Sequence, residues 1–309
     1  MDQPRVAFLL LTYNQASLVR ESALAALAQD SEPLDIVFSD DASTDDTFAV
    51  LQAVASDYKG PHRLTLRRNE QNLGIGAHWN VLIAASQCDL LIASAGDDIS
   101  LPKRARLLIE AWDKSGQKAD LITSHCISMH YDGQLDEHIH TDRLDGMVPT
   151  AWFKHRPHIV GATHAFTRRL HQHFGPFIKG MVNEDQVTVF RALCLGGAIT
   201  LADALVHYRE GGISSRPLAM TKEARRHWKR KKLRLEIVEA QQVLQDARLT
   251  SHEALAQDFY RIPLRKKAFL LDLNSHDKLF SLLKIATQHT GLPWYWRYPK
   301  AIAAAFNHC

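Results

Sequence analysis

The chain has 309 residues, 46% of them hydrophobic and 23% charged, proportions typical of a globular enzyme with one large or two modest domains. Its formal net charge of +3 is too small to indicate nucleic-acid binding. The four cysteines lack paired spacing, which argues against a disulfide framework or a zinc cluster and favours a reducing, cytoplasmic setting. Neither a secretion signal nor a stretch of about 18 apolar residues is evident, so we expect any membrane attachment to be peripheral.

Residues 5 to about 130 alternate short apolar runs with stretches of helical spacing. These patterns predict strands at 6–11, 34–38, 64–66 and 89–93, and helices at 17–29, 47–56, 77–85 and from 102 onward. Such alternation is typical of an α/β fold with a Rossmann-like, mostly parallel, doubly wound sheet. Ligands of these sheets bind beyond the carboxyl ends of the strands.

The rest of the sequence divides near Arg216. Before that point, strands are predicted at 121–129 and 198–207, a helix at 184–195, and a polar loop at 130–146. After Pro217 the pattern is almost wholly helical. We therefore expect a first domain at 1–216 and a basic, helical C-terminal region at 217–309.

Polar residues follow three of the predicted strands and should meet at one edge of the sheet. They are Thr12 and Asn14, then Asp40 with its neighbour Asp41, then Asp97 and Asp98. Carboxylates at the end of a buried strand are costly to desolvate, and a divalent cation that bridges a diphosphate would compensate them. Simpler roles stay open, because Asn14 and Asp98 could each cap the helix that follows.

Further candidates lie in loops and at a helix start. Asn72 and Gly74 belong to a glycine-containing loop that permits close backbone approach. Asp185 follows Glu184 at the start of a predicted helix, where carboxylates also suit the helix dipole.

The predicted strand at 198–207 runs into another glycine-containing loop. Arg209 and Ser214 there are suitable donors for a pyrophosphate. His207 is a weak candidate for a third metal ligand, because a lone histidine is more often structural.

The order of these motifs resembles that of glycosyltransferase family 2 over residues 5 to about 216. The six motifs, in chain order, are Thr12-Tyr13-Asn14, Ser39 to Asp45, Asn72-Leu73-Gly74, Gly96-Asp97-Asp98, Glu184-Asp185 and Tyr208-Arg209 through Ser214. The resemblance implies a GT-A fold, with a nucleotide-sugar-binding half at 1–130 and an acceptor and catalytic half at 131–216. It also implies an inverting, metal-dependent transfer that uses Mn²⁺ or Mg²⁺.

The resemblance assigns roles to these motifs, and Asn72 and Gly74 count among the residues that would bind the donor. Asp40 would contact the uracil or ribose of the donor, with Thr12 and Asn14 lining the same pocket. Asp97 and Asp98 match the acidic metal motif, and Asp97 would also contact the donor.

Two further motifs are assigned in the same way. Asp185 matches the catalytic base, while Arg209 and Ser214 match the loop that covers the pyrophosphate. Members often carry an acid two positions before the paired aspartates, and this chain has Ala95 there.

The C-terminal region begins with a strongly basic run. Residues 222–234 contain eight lysines and arginines against one acid, and Trp294, Tyr295, Trp296 and Tyr298 follow later. A solvated helix face and attraction to anionic lipid headgroups are both consistent with this pattern.

The sequence thus predicts a glycosyltransferase of surface polysaccharide or glycolipid synthesis, with a UDP-sugar donor and a glycan or lipid-linked acceptor. We expect a cytoplasmic protein, peripheral on the inner face of the cell membrane if it binds membranes, and no nucleic-acid partner. Two alternatives stay open. One is a nucleotide-sugar-binding protein that has lost catalysis, as Ala95 would allow, and the other is an acidic-pocket phosphatase-like or receiver-like domain.

Overall fold

A computed structural model describes residues 5–139, 141–209, 221–275 and 279–306. The chain divides into two compact units, Met1–Lys179 with Asn183–Ser215, and Gly180–Val182 with Arg216–Cys309. The division of the first unit into nucleotide-binding and acceptor halves stays a prediction. No helix of the described ranges combines the length and the apolar character that crossing a membrane requires.

One mixed sheet forms the centre of the first unit. Its described strands are β1 Val6–Thr12, β2 Asp35–Asp40, β3 Arg63–Arg68, β4 Leu90–Ala95, β5 Ile99–Ser100, β6 Leu121–Met129, β7 Leu135–Ile139, β8 Ala165–Thr167 and β9 Ala198–Arg209. They lie in the order β3-β2-β1-β4-β8-β6-β9-β5, with β7 paired to β6. β1 to β4 are mutually parallel, as are β6 and β9, whereas β8 is antiparallel to both of its neighbours. The predicted α/β fold with a mostly parallel sheet is confirmed.

Helices connect these strands and make up the second unit. Their bounds are α1 Val19–Leu27, α2 Thr47–Asp57, α3 Ile75–Ala85, α4 Arg104–Lys114, α5 Pro149–Lys154, α6 Arg168–Phe174, α7 Glu184–Cys194, α8 Lys222–Ala247, α9 Glu253–Leu273, α10 Leu279–Gln288 and α11 Trp294–Phe306. A short 3-10 helix, Gly161–Thr163, precedes β8.

Apolar burial explains the position of the first strands. Every residue of β1 is buried, as expected of a strand that is covered on both faces. Phe8 and Leu10 pack in one core with residues of α1, α2 and α4, including Leu51 and Leu108. On α3, Trp79 meets Phe166 of β8 edge to face, with ring centroids 5.4 Å apart. Layers on both sides therefore fix the strand ends relative to one another.

The region 130–174 differs from its sequence-based description. The segment 130–146, predicted as a loop, contains β7, which pairs antiparallel with β6. Between the two strands the chain turns at Gly133, whose φ is +88°. Residues 147–174 add α5, the 3-10 helix, β8 and α6, elements for which the sequence offered only short runs.

Candidate functional site

The carboxyl ends of β2, β1 and β4 lie side by side. Thr12 is the register partner of Asp40, and Leu11 is the partner of Ala95 on the other side. Gly96 follows, and its backbone N–H donates to the carbonyl of Leu11 at 3.0 Å. The structure therefore brings Thr12, the Asp40 turn and the Asp97–Asp98 turn to one edge of the sheet, as the sequence predicts.

Asp40 is fully buried, and its carboxylate is engaged by the turn that follows it. One oxygen accepts the Ser43 N–H at 2.9 Å and faces Arg68 Nε at 3.2 Å. The other oxygen accepts the Ser43 hydroxyl. Thr12, which is also buried, donates its hydroxyl to the Ser39 carbonyl at 3.3 Å. These bonds hold the turn in place, and direct contacts of Asp40 or Thr12 with a donor stay predictions.

Asn14 ties the end of β1 to the same turn. Its backbone is left-handed, with a φ of +52°, and its side-chain oxygen accepts the Thr44 N–H at 2.8 Å. Its own N–H donates to Ser43 Oγ at 2.9 Å. Asn14 does not cap the next helix, since α1 begins after Leu18 without a side-chain cap.

Asp41 is a structural link that the sequence analysis did not assign. Its carboxylate accepts the N–H groups of Leu73 and Gly74, both at 2.9 Å, and the Asn69 side chain at 2.7 Å. The Asn72 side chain donates to its carbonyl at 3.3 Å. Asn72 and Gly74 are thereby held against the β2 end. The sequence does carry a sign of this role, because Asp41 is the second carboxylate of the Asp40–Asp41 pair and helix capping does not explain it.

Asp97 and Asp98 form a turn in which negative charge is incompletely compensated. Asp98 is buried and accepts the backbone N–H of Arg209 at 2.9 Å, so it does not act as a helix cap. Burial raises the pKa of both carboxyls, and the neighbouring charge of Asp97 raises the pKa of Asp98 further. Only part of this effect is offset by Arg104 and Arg209.

This donor set fits a hard divalent cation. Mg²⁺ and Mn²⁺ prefer oxygen ligands, and Mg²⁺ commonly uses one or two carboxylates together with phosphate oxygens and water. Positive charge at the turn would favour the ionised carboxylates that burial disfavours. Asp97 and Asp98 are therefore the residues that would hold the ion.

His207 lies on β9, where it is the antiparallel partner of Ile99. Partial burial lowers the pKa of its imidazole and so favours the neutral form, which is the form that binds metals. Within the described ranges, no three His, Cys, Asp or Glu side chains form a group that could hold a metal. The metal-binding role of His207 stays a prediction.

Arg209 is almost wholly buried and engaged by protein atoms. Its guanidinium donates to the carbonyl of Asp97 at 3.1 Å, that of Tyr131 at 3.2 Å and the Glu21 carboxylate at 3.0 Å. The side chain thus braces the acidic turn from within, and its contact with a pyrophosphate stays a prediction. Ser214 lies outside the described residues.

Asp185 stands in the first turn of α7. Its Oδ1 accepts the backbone N–H of Gln186 at 2.7 Å. Its side chain packs against Gly161, where an added Cβ would lie 3.1 Å from Asp185 Cβ. The carboxylate is half-buried.

Glu184 precedes Asp185 at the start of α7, and its sequence position suggested no role beyond an interaction with the helix dipole. Burial raises the pKa of its carboxyl well above the usual value, and the charge of Asp185 raises that pKa further. The side chain of Trp79 bonds it, while Oε2 has no hydrogen-bond partner among the described residues. Glu184 therefore favours the neutral form beside Asp185.

Solved structures share this architecture. One is a crystal structure of TarS residues 1–349 from S. aureus in complex with UDP-GlcNAc. The match covers 97% of the present chain and 89% of the TarS chain, with a TM-score of 0.58 at 13% identity. The mannosyltransferase PcManGT from Pyrobaculum calidifontis, in complex with GDP-Man and Mn²⁺, covers 99% of the chain and 87% of its own, with a TM-score of 0.53 at 17% identity. These similarities show the fold, and the GT-A arrangement predicted from the sequence is confirmed.

Sequence similarity gives the family. The succinoglycan biosynthesis protein ExoO of Rhizobium meliloti (strain 1021) is 26% identical over 227 residues, which are 68% of the chain and 63% of ExoO. The family model described as glycosyl transferase family 2 matches residues 8–174, more than half of the chain. That range includes every motif at the strand ends of β1, β2 and β4. The chain belongs to glycosyltransferase family 2.

Proposed function

We propose that this protein transfers a sugar from a nucleoside-diphosphate sugar to an acceptor hydroxyl in polysaccharide or glycolipid synthesis. The observation that carries the proposal is the convergence of the Asp40 turn and the under-compensated Asp97–Asp98 turn at one sheet edge. UDP-GlcNAc and GDP-Man, bound in proteins of the same fold, are donors of the matching chemistry. A UDP-sugar donor and a glycan or lipid-linked acceptor are our first choices.

Asp97 and Asp98 would hold a Mn²⁺ or Mg²⁺ ion beside the diphosphate. When bound, that ion supplies positive charge which offsets the negative charge of the departing diphosphate. The N–H of Arg209 keeps Asp98 in place, and the Arg209 guanidinium fixes the carbonyl of Asp97. The protein therefore presents both carboxylates on a turn that is already ordered.

Asp185 would be the general base. Its half-buried carboxylate, in the first turn of α7, is the group we assign to the proton of the acceptor hydroxyl. The hydroxyl then attacks the anomeric carbon from the face opposite the diphosphate, and a single displacement inverts the configuration. Burial raises the pKa of the neighbouring Glu184 carboxyl, which favours its neutral form and so limits competing negative charge beside the base.

Arg209 and Ser214 would cover the diphosphate. Arg209 reaches it by exchanging one partner, Glu21, whose side chain is 62% exposed, while its bond to the Asp97 carbonyl stays in place. In this exchange a charge-assisted hydrogen bond to the Glu21 carboxylate is replaced by a charge-assisted hydrogen bond to phosphate, so the guanidinium keeps an anionic partner.

A panel of UDP-, GDP- and dTDP-sugars tests the proposal by thermal shift with Mn²⁺ and with EDTA, followed by assays of donor hydrolysis and transfer. We expect one nucleotide class to raise the melting temperature only with Mn²⁺, since at 100 times its Kd a ligand of the native state adds about 2.7 kcal/mol. Binding without turnover would instead favour the non-catalytic alternative. Phosphate release from simple monoesters, without nucleotide-sugar binding, would favour the phosphatase-like one.

The C-terminal unit supports a second, separate proposal, that the protein binds anionic membrane surfaces peripherally. Lys222, Lys229 and Lys231 of α8 are exposed, and Trp294 and Tyr295 at the start of α11 are 69% and 67% exposed. Cations and interfacial aromatics together suit a headgroup layer.

A further inference from the structure

Arg104 is a buried cation whose charge partly offsets that of Asp98, and the proposed chemistry assigns it no contact with either substrate. It is the first residue of α4, is wholly unexposed and lies 5.7 Å from the centroid of the Phe8 ring. Burial of a guanidinium is costly unless protein acceptors replace water. Its surroundings therefore indicate what the side chain holds together.

The guanidinium is shared between two parts of the candidate site. Nη2 donates to the carbonyl of Ala93 at 2.7 Å and to that of Ala162 at 2.5 Å. Nη1 donates to Ser100 Oγ at 2.8 Å. Ala93 belongs to β4, which leads into the Asp97–Asp98 turn, and Ser100 follows that turn in β5.

Ala162 belongs to the other part of the site. It lies in the 3-10 helix Gly161–Thr163, whose first residue packs against the side chain of Asp185. Both carbonyls accept from Nη2, whose two N–H bonds point in fixed directions in the guanidinium plane, so the two carbonyls keep a set separation. Arg104 therefore spans from the strand of the acidic turn to the segment that supports Asp185.

We infer that Arg104 is a positioning residue, which sets the separation between the Asp97–Asp98 turn and the Asp185 carboxylate through the carbonyls of Ala93 and Ala162. The inference rests on the proposed function, because a donor held at the turn must present its anomeric carbon to an acceptor activated by Asp185. Arg104 itself touches neither substrate. Lysine at this position retains a cation, but its single ammonium nitrogen cannot stand at the Nη1 and Nη2 positions at once, so it cannot bind both carbonyls and Ser100 in this arrangement.

Arg104→Lys tests the inference in kinetics. We expect kcat for transfer to fall about 10- to 100-fold, because small misplacements of reacting groups cost this much. The donor KM should change less than kcat does, because the side chains of the acidic turn are themselves unaltered. Ser100→Ala, which removes one acceptor from the same guanidinium, should lower kcat in the same direction by a smaller factor.

Two controls separate positioning from stability. Arg106→Lys alters a half-exposed arginine of the same helix that pairs with Glu110 and should leave kcat unchanged. Leu108→Ala opens the core beneath the same helix and should lower the melting temperature without a matching loss of kcat. Equal loss of kcat in Leu108→Ala and Arg104→Lys at equal loss of melting temperature would overturn the positioning role.

Hydrogen exchange tests the link without any activity. In Arg104→Lys, amide exchange should increase both around residues 93–98 and around 161–164, whereas Arg106→Lys should change neither. Faster exchange at only one of the two segments, or wild-type kcat in a folded Arg104→Lys protein, contradicts the inference.

Failure of the inference and failure of the proposed function can be told apart. If the exchange result holds but the wild-type protein transfers no sugar, the proposed function fails while the structural link stands. Should Arg104→Lys not fold, Ser100→Ala must show both effects, and their absence overturns the inference.

Discussion

Asp185 and Glu184 are adjacent carboxyl groups with different surroundings, and that difference predicts opposite outcomes when each is changed to its amide. Asp185→Asn keeps the shape and the bond from Gln186 but removes the base, so we expect transfer to fall about 10²- to 10⁴-fold. Donor affinity, measured by isothermal titration calorimetry, should stay within about threefold, because the donor binds before the proton moves.

Glu184→Gln is the matched control for that change. Because burial already favours its neutral carboxyl, an amide at this position replaces a group of similar polarity, and most of the activity should remain. Turnover near that of the wild type in Asp185→Asn, or an equal loss in both variants, would show that Asp185 is not the base.

The turn between β4 and β5 is an element whose close packing explains the glycine at its start. A Cβ at Gly96 would lie 2.5 Å from Gln15 Oε1 and 2.7 Å from Thr12 Cγ2. Gly96→Ala should therefore push the acidic turn from the end of β1 and destabilise the protein by about 1–3 kcal/mol, the usual effect of overpacking. Denaturant unfolding measures this loss.

Removing the atoms that clash should reverse the effect of Gly96→Ala. Adding Thr12→Ser and Gln15→Ala to that variant removes both atoms that the new Cβ would meet. The triple variant should therefore lose less stability than the sum of the losses of the three single variants. Simple additivity of the losses would mean that the turn relaxes elsewhere and that close packing does not fix it.

Predictability from sequence also differs between elements. β1, β2 and β4 contain apolar runs followed by polar residues, so both the strands and the edge where Thr12, Asp40 and Asp97 meet could be predicted. β8 spans only Ala165–Thr167, too short for a periodic signal, and its position between β4 and β6 depends on long-range pairing. The link from Arg104 to Ala162 was hidden for the same reason, because it depends on backbone carbonyls that no residue type reveals.

Some residue roles could not be predicted because one side chain has several possible partners. Arg209 was assigned to a pyrophosphate from its residue type, its loop and the family resemblance, and the structure gives it the Asp97 carbonyl and Glu21 as partners. Glu21 is 188 positions away in sequence, so only tertiary structure shows the pairing. Its position beside the acidic turn and its partners there could not be inferred from its neighbours in sequence.

At the scale of the whole molecule, the two units divide the chemistry. All the described residues that we assign to the donor, the metal and the base belong to the first unit. The second unit has its own small core, centred on Phe269, Ile285 and Leu292. In α8 the buried residues begin only at Glu239, and Lys222, Lys229 and Lys231 of its basic N-terminal half are exposed. A surface of this kind is available for a partner such as an anionic membrane.

Sedimentation with vesicles tests that partner. Wild-type protein should sediment with vesicles that contain phosphatidylglycerol, should not do so with phosphatidylcholine alone, and should be released by salt, which screens exposed charges. The triple change Lys222→Gln, Lys229→Gln and Lys231→Gln should weaken binding roughly a hundredfold, because each cation near an anionic surface contributes about 1 kcal/mol.

The double change Trp294→Ser with Tyr295→Ser should also weaken binding to the same vesicles. Salt should change this loss little, since the contribution that is removed is apolar. The control is Lys114→Gln, at an 80% exposed lysine of the first unit, which should bind as the wild type does. If all these proteins sediment alike, or none sediments with either vesicle, the basic half of α8 is a solvated helix face.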